Sequence, residues 1–423
     1  MRILWVTQNG GNYKNPTVKG TGGWIGAMQE AFIERNPFVE LGVVFFHPTD
    51  SEKKVLGNVT YMPVEYDYGK TSFRKLFYRH FRDEEKYLNQ RAVVMAKKVS
   101  EFHPDIVHIW GIEDKHSQII EYLPKELPFV VHIQGFSSTY LYSFFPPGFS
   151  KDALRVSESI FDRMVLKRGE YFFYSNFVKR AERERSLFPK VLHWIGRTNC
   201  DRSITQLLSP HSNYYHCEEL IRPVFSGVKW RYHYDGKTIN LQSTISCDWY
   251  KGLDVVLKTA SVLNNMGVKV CWKVYGWDKE NKKIRYFIKK LSINPEEVGV
   301  HLMGCVEGNE ILKGLLSCDC YVHPSYIENS SNAIAEAQYL GVPVIAQYVG
   351  GNPSMLRDNT GILVAPNEPF ILASKILEII KKEVAEFYSF NALSLAEKRQ
   401  DKDSVCCELI KIYNEIIGKA GKV

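Results

Sequence analysis

The stretch from Tyr321 to Gly351, YVHPSYIENSSNAIAEAQYLGVPVIAQYVGG, carries most of the information about the fold. An apolar run, a polar loop, a helical pattern, a second apolar run and a Gly-Gly pair follow one another and predict strand, loop, helix, strand and turn. Ser331 or Asn332 caps the predicted helix, and Gly341 ends it. This alternation is typical of a doubly wound, parallel α/β sheet.

The loop in front of the predicted helix is suited to binding an anion. The first N–H groups of a helix have no partner within it, and the helix dipole adds about 0.3–1 kcal/mol for a negative charge there. Glu328 precedes this position and Glu336 lies inside the helix, with seven residues between them. Carboxylates on both sides of a phosphate indicate a ligand with hydroxyl groups at both ends, such as a nucleotide sugar. The loop residues expected to contact it are Asn329, Ser330, Ser331 and Asn332.

This stretch resembles the donor-site signature of family 4 glycosyltransferases of the two-domain GT-B type. The resemblance rests on the Glu-(seven residues)-Glu spacing, the preceding Pro-Ser, the following Glu-Ala and Gly-x-Pro, and the Gly-Gly turn. It implies a retaining transferase that needs no cofactor or metal and moves a hexose from a UDP- or GDP-linked sugar. The implied acceptor is a hydroxyl of a glycan or lipid-linked molecule, in surface polysaccharide or glycoconjugate synthesis. Glu336 is expected to bind the ribose and Glu328 the hexose.

The composition is that of a globular protein with two domains. Lys and Arg outnumber Asp and Glu by 54 to 47 in 423 residues, and a net charge of +7 is too small to predict a nucleic-acid partner. An odd number of cysteines, nine, without a regular spacing argues against a secreted disulfide scaffold. The N-terminus has no signal-peptide pattern and no apolar run reaches 18 residues, so we expect a cytoplasmic protein, in contact at most with the inner membrane face.

Strand and helix patterns alternate through both halves and predict two facing Rossmann-like doubly wound domains, the GT-B arrangement, with an interdomain cleft. We expect an N-terminal acceptor-side domain at residues 1–209, a linker at 210–236 and a nucleotide-sugar-binding domain at 237–385. A helical segment at 386–423 is expected to pack back on the N-terminal domain. The aromatic run Tyr171–Tyr174 is predicted to form a strand of the first domain.

Several candidate contacts lie in the first half. Gly22 and Gly23 precede a helical pattern, either as a place where the donor approaches the backbone or as a flexible loop. His108, His132 and Gln134 lie on strands that end in glycine, where acceptor or sugar contacts are expected. In the resembled family a histidine often occupies the position of Gln134, which cannot titrate. Arg197 follows a strand and either clamps a diphosphate or pairs with Asp201.

The second half supplies three further candidates. Lys251 and Gly252 resemble the Lys-Gly element whose lysine binds the donor diphosphate, and Cys305 and Val306 follow the glycine that meets the nucleobase in that family. The family's arginine before the lysine is absent, since Ile245 and Ser246 occupy its positions. We therefore expect Arg197 to supply the missing charge across the cleft. Catalytic roles are assigned to Glu328, Lys251 and Arg197.

Residues 71–102 form a long helical region in which phenylalanines alternate with basic residues. Phe73, Phe77 and Phe81 recur at helical spacing. One interpretation is a core-facing stripe beside a solvated basic face. The other is peripheral contact with an anionic membrane or with a lipid-linked acceptor.

Two alternative functions are compatible with the same fold. A sugar-nucleotide 2-epimerase would convert its donor without an acceptor, and a non-catalytic scaffold would bind the nucleotide sugar only. The second alternative is suggested by Gln134 and by the missing arginine.

Overall fold

The computed structural model describes residues 1–13, 23–156 and 159–420. The first eight strands form one sheet in the order β3-β4-β2-β1-β5-β6-β7-β8. All pairs are parallel except β3 with β4. The strands are β1 Arg2–Thr7, β2 Glu40–His47, β3 Lys54–Leu56, β4 Val59–Glu65, β5 Ile106–Trp110, β6 Phe129–His132, β7 His193–Gly196 and β8 Asn213–His216.

Helices cover both faces of this sheet because its central strands are apolar on both sides. Ile3 and Trp5 of β1 belong to one apolar cluster, whereas Leu4 and Val6 belong to the cluster on the opposite face. The helices are α1 Gly23–Arg35, α2 Ser72–Phe81, α3 Glu84–Phe102, α4 Ser137–Tyr140, α5 Asp152–Val156, α6 Ile160–Met164, α7 Glu170–Leu187 and α8 Asn199–Leu208.

The second sheet has six parallel strands in the order β11-β10-β9-β12-β13-β14. Its strands are β9 Ile239–Thr244, β10 Val270–Tyr275, β11 Val300–Gly304, β12 Cys320–His323, β13 Val344–Gln347 and β14 Ile362–Val364. The helices are α9 Leu253–Asn265, α10 Lys282–Leu291, α11 Gly308–Ser317, α12 Asn332–Leu340, α13 Asn352–Met355, α14 Pro369–Ile379, α15 Lys382–Arg399 and α16 Lys402–Ala420. The prediction of two α/β domains of the GT-B type is confirmed.

The boundaries differ from those expected in two places. Strand β8 lies inside the predicted linker 210–236 and pairs with β7, so the first sheet extends beyond residue 209. The segment 386–423 is divided between the domains. Helix α15 packs under α12, where a Cβ on Gly341 would approach Ser389 Oγ to 2.9 Å. Helix α16 returns to the first domain.

Helix α16 is attached to the first sheet through Tyr413. The Trp5 indole donates a hydrogen bond to the Tyr413 oxygen at 3.1 Å, and that hydroxyl lies 2.5 Å from His108 Nδ1. All three side chains are buried. Helix α16 is therefore anchored to the interior of the first domain.

The predicted strand Tyr171–Tyr174 is wrong, because these residues form the first turn of α7, whose N-cap is Gly169. Aromatic residues favour strands, but packing of α7 between the domains overrides that preference. Trp249 of the second domain donates a hydrogen bond to Glu170 at 2.9 Å. The rings of Tyr140 and Tyr250 meet across the same boundary with centroids 5.4 Å apart.

Candidate functional site

The loop between β12 and α12 forms the centre of the site. Ser331 caps α12, since its hydroxyl accepts a hydrogen bond from the backbone N–H of Ile334. Asn329 and Ser330 are buried, yet within the described part of the chain neither the Asn329 amide nitrogen nor the Ser330 hydroxyl has a hydrogen-bond partner. Leaving a buried polar group unpaired costs about 1–3 kcal/mol. Two unpaired polar groups at the start of a helix indicate a place for an anionic ligand.

The Gly350-Gly351 turn supports this loop from behind. A Cβ on Gly350 would lie 1.8 Å from the Glu328 carbonyl oxygen, and one on Gly351 would lie 1.9 Å from that of Asn329. Gly350 also has a positive φ of 50°, which favours glycine. The two glycines therefore allow the turn after β13 to contact the backbone of the loop before α12. This contact fixes the position of the loop relative to β13.

Glu328 and Lys251 form an ion pair inside the site. The Lys251 Nζ lies 2.7 Å from one carboxylate oxygen and 3.1 Å from the other. His323 Nε2 lies 2.8 Å from the carboxylate as well. Burial alone would raise the pKa of Glu328, but the Lys251 ammonium and the His323 hydrogen bond outweigh it and hold the pKa well below its ordinary value. Glu328 is therefore an anion at neutral pH.

Lys251 is held in place by the glycine that follows it. A short 3₁₀ turn, Trp249–Lys251, ends at Gly252, which has a φ of 78° and forms the N-cap of α9. A Cβ at Gly252 would lie 1.9 Å from the Pro324 carbonyl oxygen, so only glycine allows this approach to the loop after β12. The Lys-Gly pair thus brings the ammonium beside Glu328, and its predicted contact with a donor diphosphate stays a prediction.

Arg197 reaches the same loop from the first domain. Its guanidinium donates hydrogen bonds to the Asn332 side-chain oxygen at 3.2 Å and to the Ser330 carbonyl at 3.1 Å. Thr198 caps α8, and Asp201 in its first turn accepts the backbone N–H groups of Arg197 and Thr198. Arg197 is therefore positioned by Asp201 through the backbone, and its charged group is at the interdomain boundary.

Glu336 is held by a residue that the sequence did not suggest. Arg222, in the predicted linker, donates two hydrogen bonds to its carboxylate at 2.8 and 2.9 Å. Burial raises the pKa of Glu336 to about 7, although Arg222 favours the ionised form. Gly23 also belongs here, since a Cβ on it would lie 3.2 Å from the Arg222 side chain. Gly22 lies outside the described residues.

Two of the candidate strand residues are not placed for substrate contact. His108 and His132 are fully buried with ring centroids 5.3 Å apart, and Trp110 stacks on both of them at centroid distances of 4.1 and 4.5 Å. Burial lowers the pKa of both histidines well below the ordinary value, so both are neutral. Because parallel strands bury both faces, these histidines form part of the domain interior and the expected sugar contacts do not occur.

Gln134 is linked to Arg197 through Glu219. The Gln134 amide donates a hydrogen bond to one oxygen of Glu219, and the other oxygen lies 3.2 Å from the Arg197 guanidinium. Burial raises the pKa of Glu219, whereas Arg197 and the hydrogen bond from Gln134 lower it. Glu219 was missed because it falls in the segment taken as a linker.

Two cavities open at the carboxyl ends of β1 and β5, and both are lined by Gln8, Asn9 and His116. The smaller, of about 100 Å³, also contains Gln134 and Glu113 in its wall, and the larger, of about 290 Å³, contains Tyr68. Burial raises the pKa of Glu113 to about 8. Within the described ranges its Oε2 has no hydrogen-bond partner. Polar groups in these cavities match a ligand that bears hydroxyls.

Cys305 and Val306 follow β11, where the nucleobase was expected. The Cys305 side chain is exposed, and its sulfur lies 3.9 Å from the carbonyl oxygen of Gly276, the glycine that ends β10. Val306 is partly buried beside the cluster that packs around α12. Both residues therefore lie at the carboxyl end of β11, beside the end of the neighbouring strand β10.

The second domain matches a known family. The family model Glycosyl transferases group 1 matches residues 244–392, from the end of β9 into α15. An uncharacterized glycosyltransferase of Methanocaldococcus jannaschii is 29% identical over 134 residues, which cover 31% of this chain. The chain spans about a third of the length of that relative, 36%.

Solved structures match over the whole chain. Sucrose-phosphate synthase from Thermosynechococcus elongatus superimposes with a TM-score of 0.70 over 99% of both chains at 13% identity. Anabaena HepE, in complex with UDP-glucose, superimposes with a TM-score of 0.58 over 100% of both chains at 16% identity. The chain therefore has the GT-B fold, and residues 244–392 in its second domain are similar to the Glycosyl transferases group 1 family.

Proposed function

We propose that the protein is a metal-independent, retaining glycosyltransferase of family 4. It moves a hexose from a UDP- or GDP-linked sugar to a hydroxyl of a glycan or lipid-linked acceptor, in surface polysaccharide or glycoconjugate synthesis. The observation that carries the proposal is the pair of buried, unpaired groups on Asn329 and Ser330 at the start of α12, between two cations. All nine cysteines are free thiols, which supports a reducing compartment, the cytoplasm.

The donor diphosphate would lie at the start of α12. The Asn329 amide and the Ser330 hydroxyl would pair with its oxygens, and Lys251 and Arg197 would neutralise its charge from the two domains. Glu336 would bind the ribose hydroxyls, sharing its carboxylate with Arg222. The backbone of Cys305 and Val306 would contact the base, and the UDP-glucose in the HepE structure supports a nucleotide sugar as the ligand.

Transfer would then occur on one face of the sugar. The bond between the anomeric carbon and the diphosphate oxygen breaks, while the acceptor oxygen forms a bond to the same carbon on the same face. The acceptor proton passes to the departing diphosphate oxygen. Glu328, an anion beside the hexose, stabilises the positive charge that develops on the ring, and Lys251 stabilises the leaving group.

The two cavities of the first domain would receive the acceptor. Gln134 and Glu113 line the smaller cavity and offer hydrogen bonds to hydroxyl groups. The carboxyl of Glu113 has a raised pKa near 8, so it can donate as well as accept a hydrogen bond at neutral pH. In the larger cavity Tyr68 supplies an aromatic surface for a second sugar ring.

A thermal-shift panel of UDP, GDP and ADP with their glucose or mannose derivatives tests donor binding. We expect one nucleoside diphosphate and its sugar to raise the melting temperature. If none does so, the donor proposal is wrong. Product analysis with the matched donor, alone and with an oligosaccharide mixture, then separates the activities. A converted donor sugar without acceptor identifies an epimerase, and donor binding without any product identifies a scaffold.

A further inference from the structure

Helix α2 lies on the surface without burying a single residue. Its phenylalanines at positions 73, 77 and 81 recur every four residues and therefore form one stripe along the helix. These side chains are 77%, 50% and 75% exposed, and the rings of Phe77 and Phe81 are 5.1 Å apart. The interpretation of this stripe as core-facing is therefore wrong, and the stripe faces outward.

A second apolar element lies beside α2. Ile160, Phe161 and Met164 of α6 are 73%, 59% and 65% exposed. The turn after α6 is fastened to α2, because Arg79 donates a hydrogen bond to the Leu166 carbonyl at 3.0 Å and His80 Nε2 lies 2.7 Å from the Val165 carbonyl. The exposed apolar side chains of the two helices are together called the aromatic surface: Phe73, Phe77, Phe81, Ile160, Phe161 and Met164.

The aromatic surface is large for a side of the protein that faces only water. Each phenylalanine has roughly 200 Å² of side-chain surface, so the three rings of α2 alone expose about 400 Å². Contiguous apolar patches of a few hundred Å² mark sites of interaction. An exposed stripe of rings on an otherwise solvated helix therefore requires a partner that removes it from water.

Basic residues surround the aromatic surface. Lys70, Arg74 and Lys75 are exposed next to the stripe of α2. Asp67 pairs with Arg74 at 3.2 Å, Glu84 with Lys115 at 2.6 Å and Glu85 with Arg183 at 3.7 Å, and the exposed Asp83 caps α3 by accepting the backbone N–H of Lys86. Lys70 and Lys75 therefore give the aromatic surface a positive border.

We propose that the aromatic surface docks the protein on a bilayer that contains anionic phospholipids. The rings enter the boundary between headgroups and acyl chains, and the lysines meet the lipid phosphates, as in interfacial amphipathic helices. A second copy of the chain would instead place like charges opposite each other. In residues 1–13, 23–156 and 159–420, no helix is long and apolar enough to cross a membrane. Docking of this kind is independent of the proposed sugar transfer, but it would bring the first domain to a lipid-linked acceptor.

Flotation with vesicles tests the proposal. We expect the intact protein to float with vesicles of phosphatidylcholine and phosphatidylglycerol, and at least tenfold less with phosphatidylcholine alone. The double variant F77S/F81S should partition onto the anionic vesicles at least tenfold less than the intact protein. Its matched control is F387S/F390S on α15, where the exposed fractions are 52% and 75%. The charge variant K70E/K75E should lose binding to the anionic vesicles, whereas Lys313→Glu, 72% exposed on α11, should keep it.

Three results would overturn the proposal. In the first, the intact protein does not float with the anionic vesicles. In the second, the F77S/F81S variant floats as well as the intact protein. In the third, sedimentation shows a dimer that depends on these phenylalanines, and no vesicle binding is seen. A melting temperature and nucleotide response equal to those of the intact protein show that each variant is folded. Nucleotide binding and vesicle binding are measured separately, so failure of one proposal is distinguishable from failure of the other.

Discussion

Lys251 and Glu328 neutralise each other at the point where a donor would enter, with Nζ 2.7 Å from Oε2. The lysine belongs to the turn before α9 and the glutamate to the loop before α12, and both side chains are largely buried. A diphosphate that binds beside Asn329 and Ser330 would compete with Glu328 for the ammonium. Once the diphosphate had bound the ammonium, the carboxylate of Glu328 could accept hydrogen bonds from hydroxyls of the hexose. Under the proposed function, donor binding and the positioning of Glu328 would be coupled through this ion pair.

Replacing Lys251 by alanine should weaken binding of the matched nucleoside diphosphate. A hydrogen bond to a charged group contributes about 1.5–3 kcal/mol, which corresponds to roughly 10- to 100-fold in affinity. Isothermal titration calorimetry measures the change. Lys375→Ala, on the surface of α14, is the matched control and should bind as the intact protein does. Equal affinities of the two variants would exclude Lys251 from the diphosphate site.

Replacing Glu328 by alanine should abolish transfer while nucleotide binding survives. The carboxylate is expected to act on the hexose in the transition state, and loss of such a group costs roughly 100- to 1,000-fold in rate. Product formation and calorimetric affinity are measured on the same preparation. Glu310→Ala, exposed on α11, serves as the control. Retained transfer would overturn the division of roles between the two glutamates.

Replacing Arg197 by alanine tests whether the first domain supplies the missing positive charge. Its guanidinium already contacts Ser330 and Asn332, so removal should lower donor affinity by about tenfold or more. Arg202→Ala is a suitable control because Arg202 lies in α8, which begins just after Arg197, and has an exposed side chain. Unchanged affinity for the nucleoside diphosphate in Arg197→Ala would contradict the proposed compensation.

The buried carboxyl of Glu336 should make stability depend on pH. Its pKa is raised from 4.5 to about 7, so the folded state binds the proton more tightly than the unfolded state. The contribution of Glu336 to stability is then fully present below about pH 4.5. It is lost as the pH rises to 7, with a slope on the order of 1 kcal/mol per pH unit.

Urea unfolding at intervals between pH 4.5 and 8 measures this slope. Glu336→Gln cannot titrate, so the difference in unfolding free energy between the two proteins should change across this window and become constant above it. A difference that is independent of pH would show that Glu336 is ionised throughout by Arg222. The same variant should bind the nucleoside more weakly, by about tenfold, if the carboxylate holds the ribose.

Local patterns in the sequence predicted the parts of the site that lie close together in the chain. The cap at Ser331, the helix after it and the carboxylate of Glu328 belong to one strand–loop–helix unit. The Lys251-Gly252 turn is equally local, because its positive φ depends on one glycine. Apolar runs that alternate with helical patterns also predicted the two sheets. A strand buried on both faces of a parallel sheet appears in the sequence as a continuous apolar run.

The partners of these residues come from distant positions and leave no local signal. Arg222 and Glu336 are 114 residues apart, and Gln134 and Glu219 are 85 apart. Arg222 and Glu219 were assigned to a linker because the segment lacks periodicity, although charged residues in such a segment can line a cleft. The prediction of His108 as a sugar contact fails for a related reason. Its hydrogen bond to Tyr413, 305 residues away, becomes visible only once α16 is placed.

Replacing Gly350 by alanine tests whether the Gly-Gly turn fixes the donor loop. An added Cβ would lie 1.8 Å from the Glu328 carbonyl oxygen at a φ of 50°, so the loop must move. We expect a loss of about 2–4 kcal/mol in unfolding free energy from strain and clash. Transfer should fall by at least about 100-fold, because even a displacement of 1 Å at a reacting group is costly.

Gly418→Ala is the control for this substitution. Gly418 lies in α16 with open space around its Cβ position, so alanine there should stabilise the protein by about 0.5–1 kcal/mol and leave transfer unchanged. Urea unfolding and product formation are measured for both variants. If Gly350→Ala retained full transfer, the loop could bind the donor without support from the Gly350-Gly351 turn. The close contact between Gly350 and Glu328 would then contribute to stability and not to transfer.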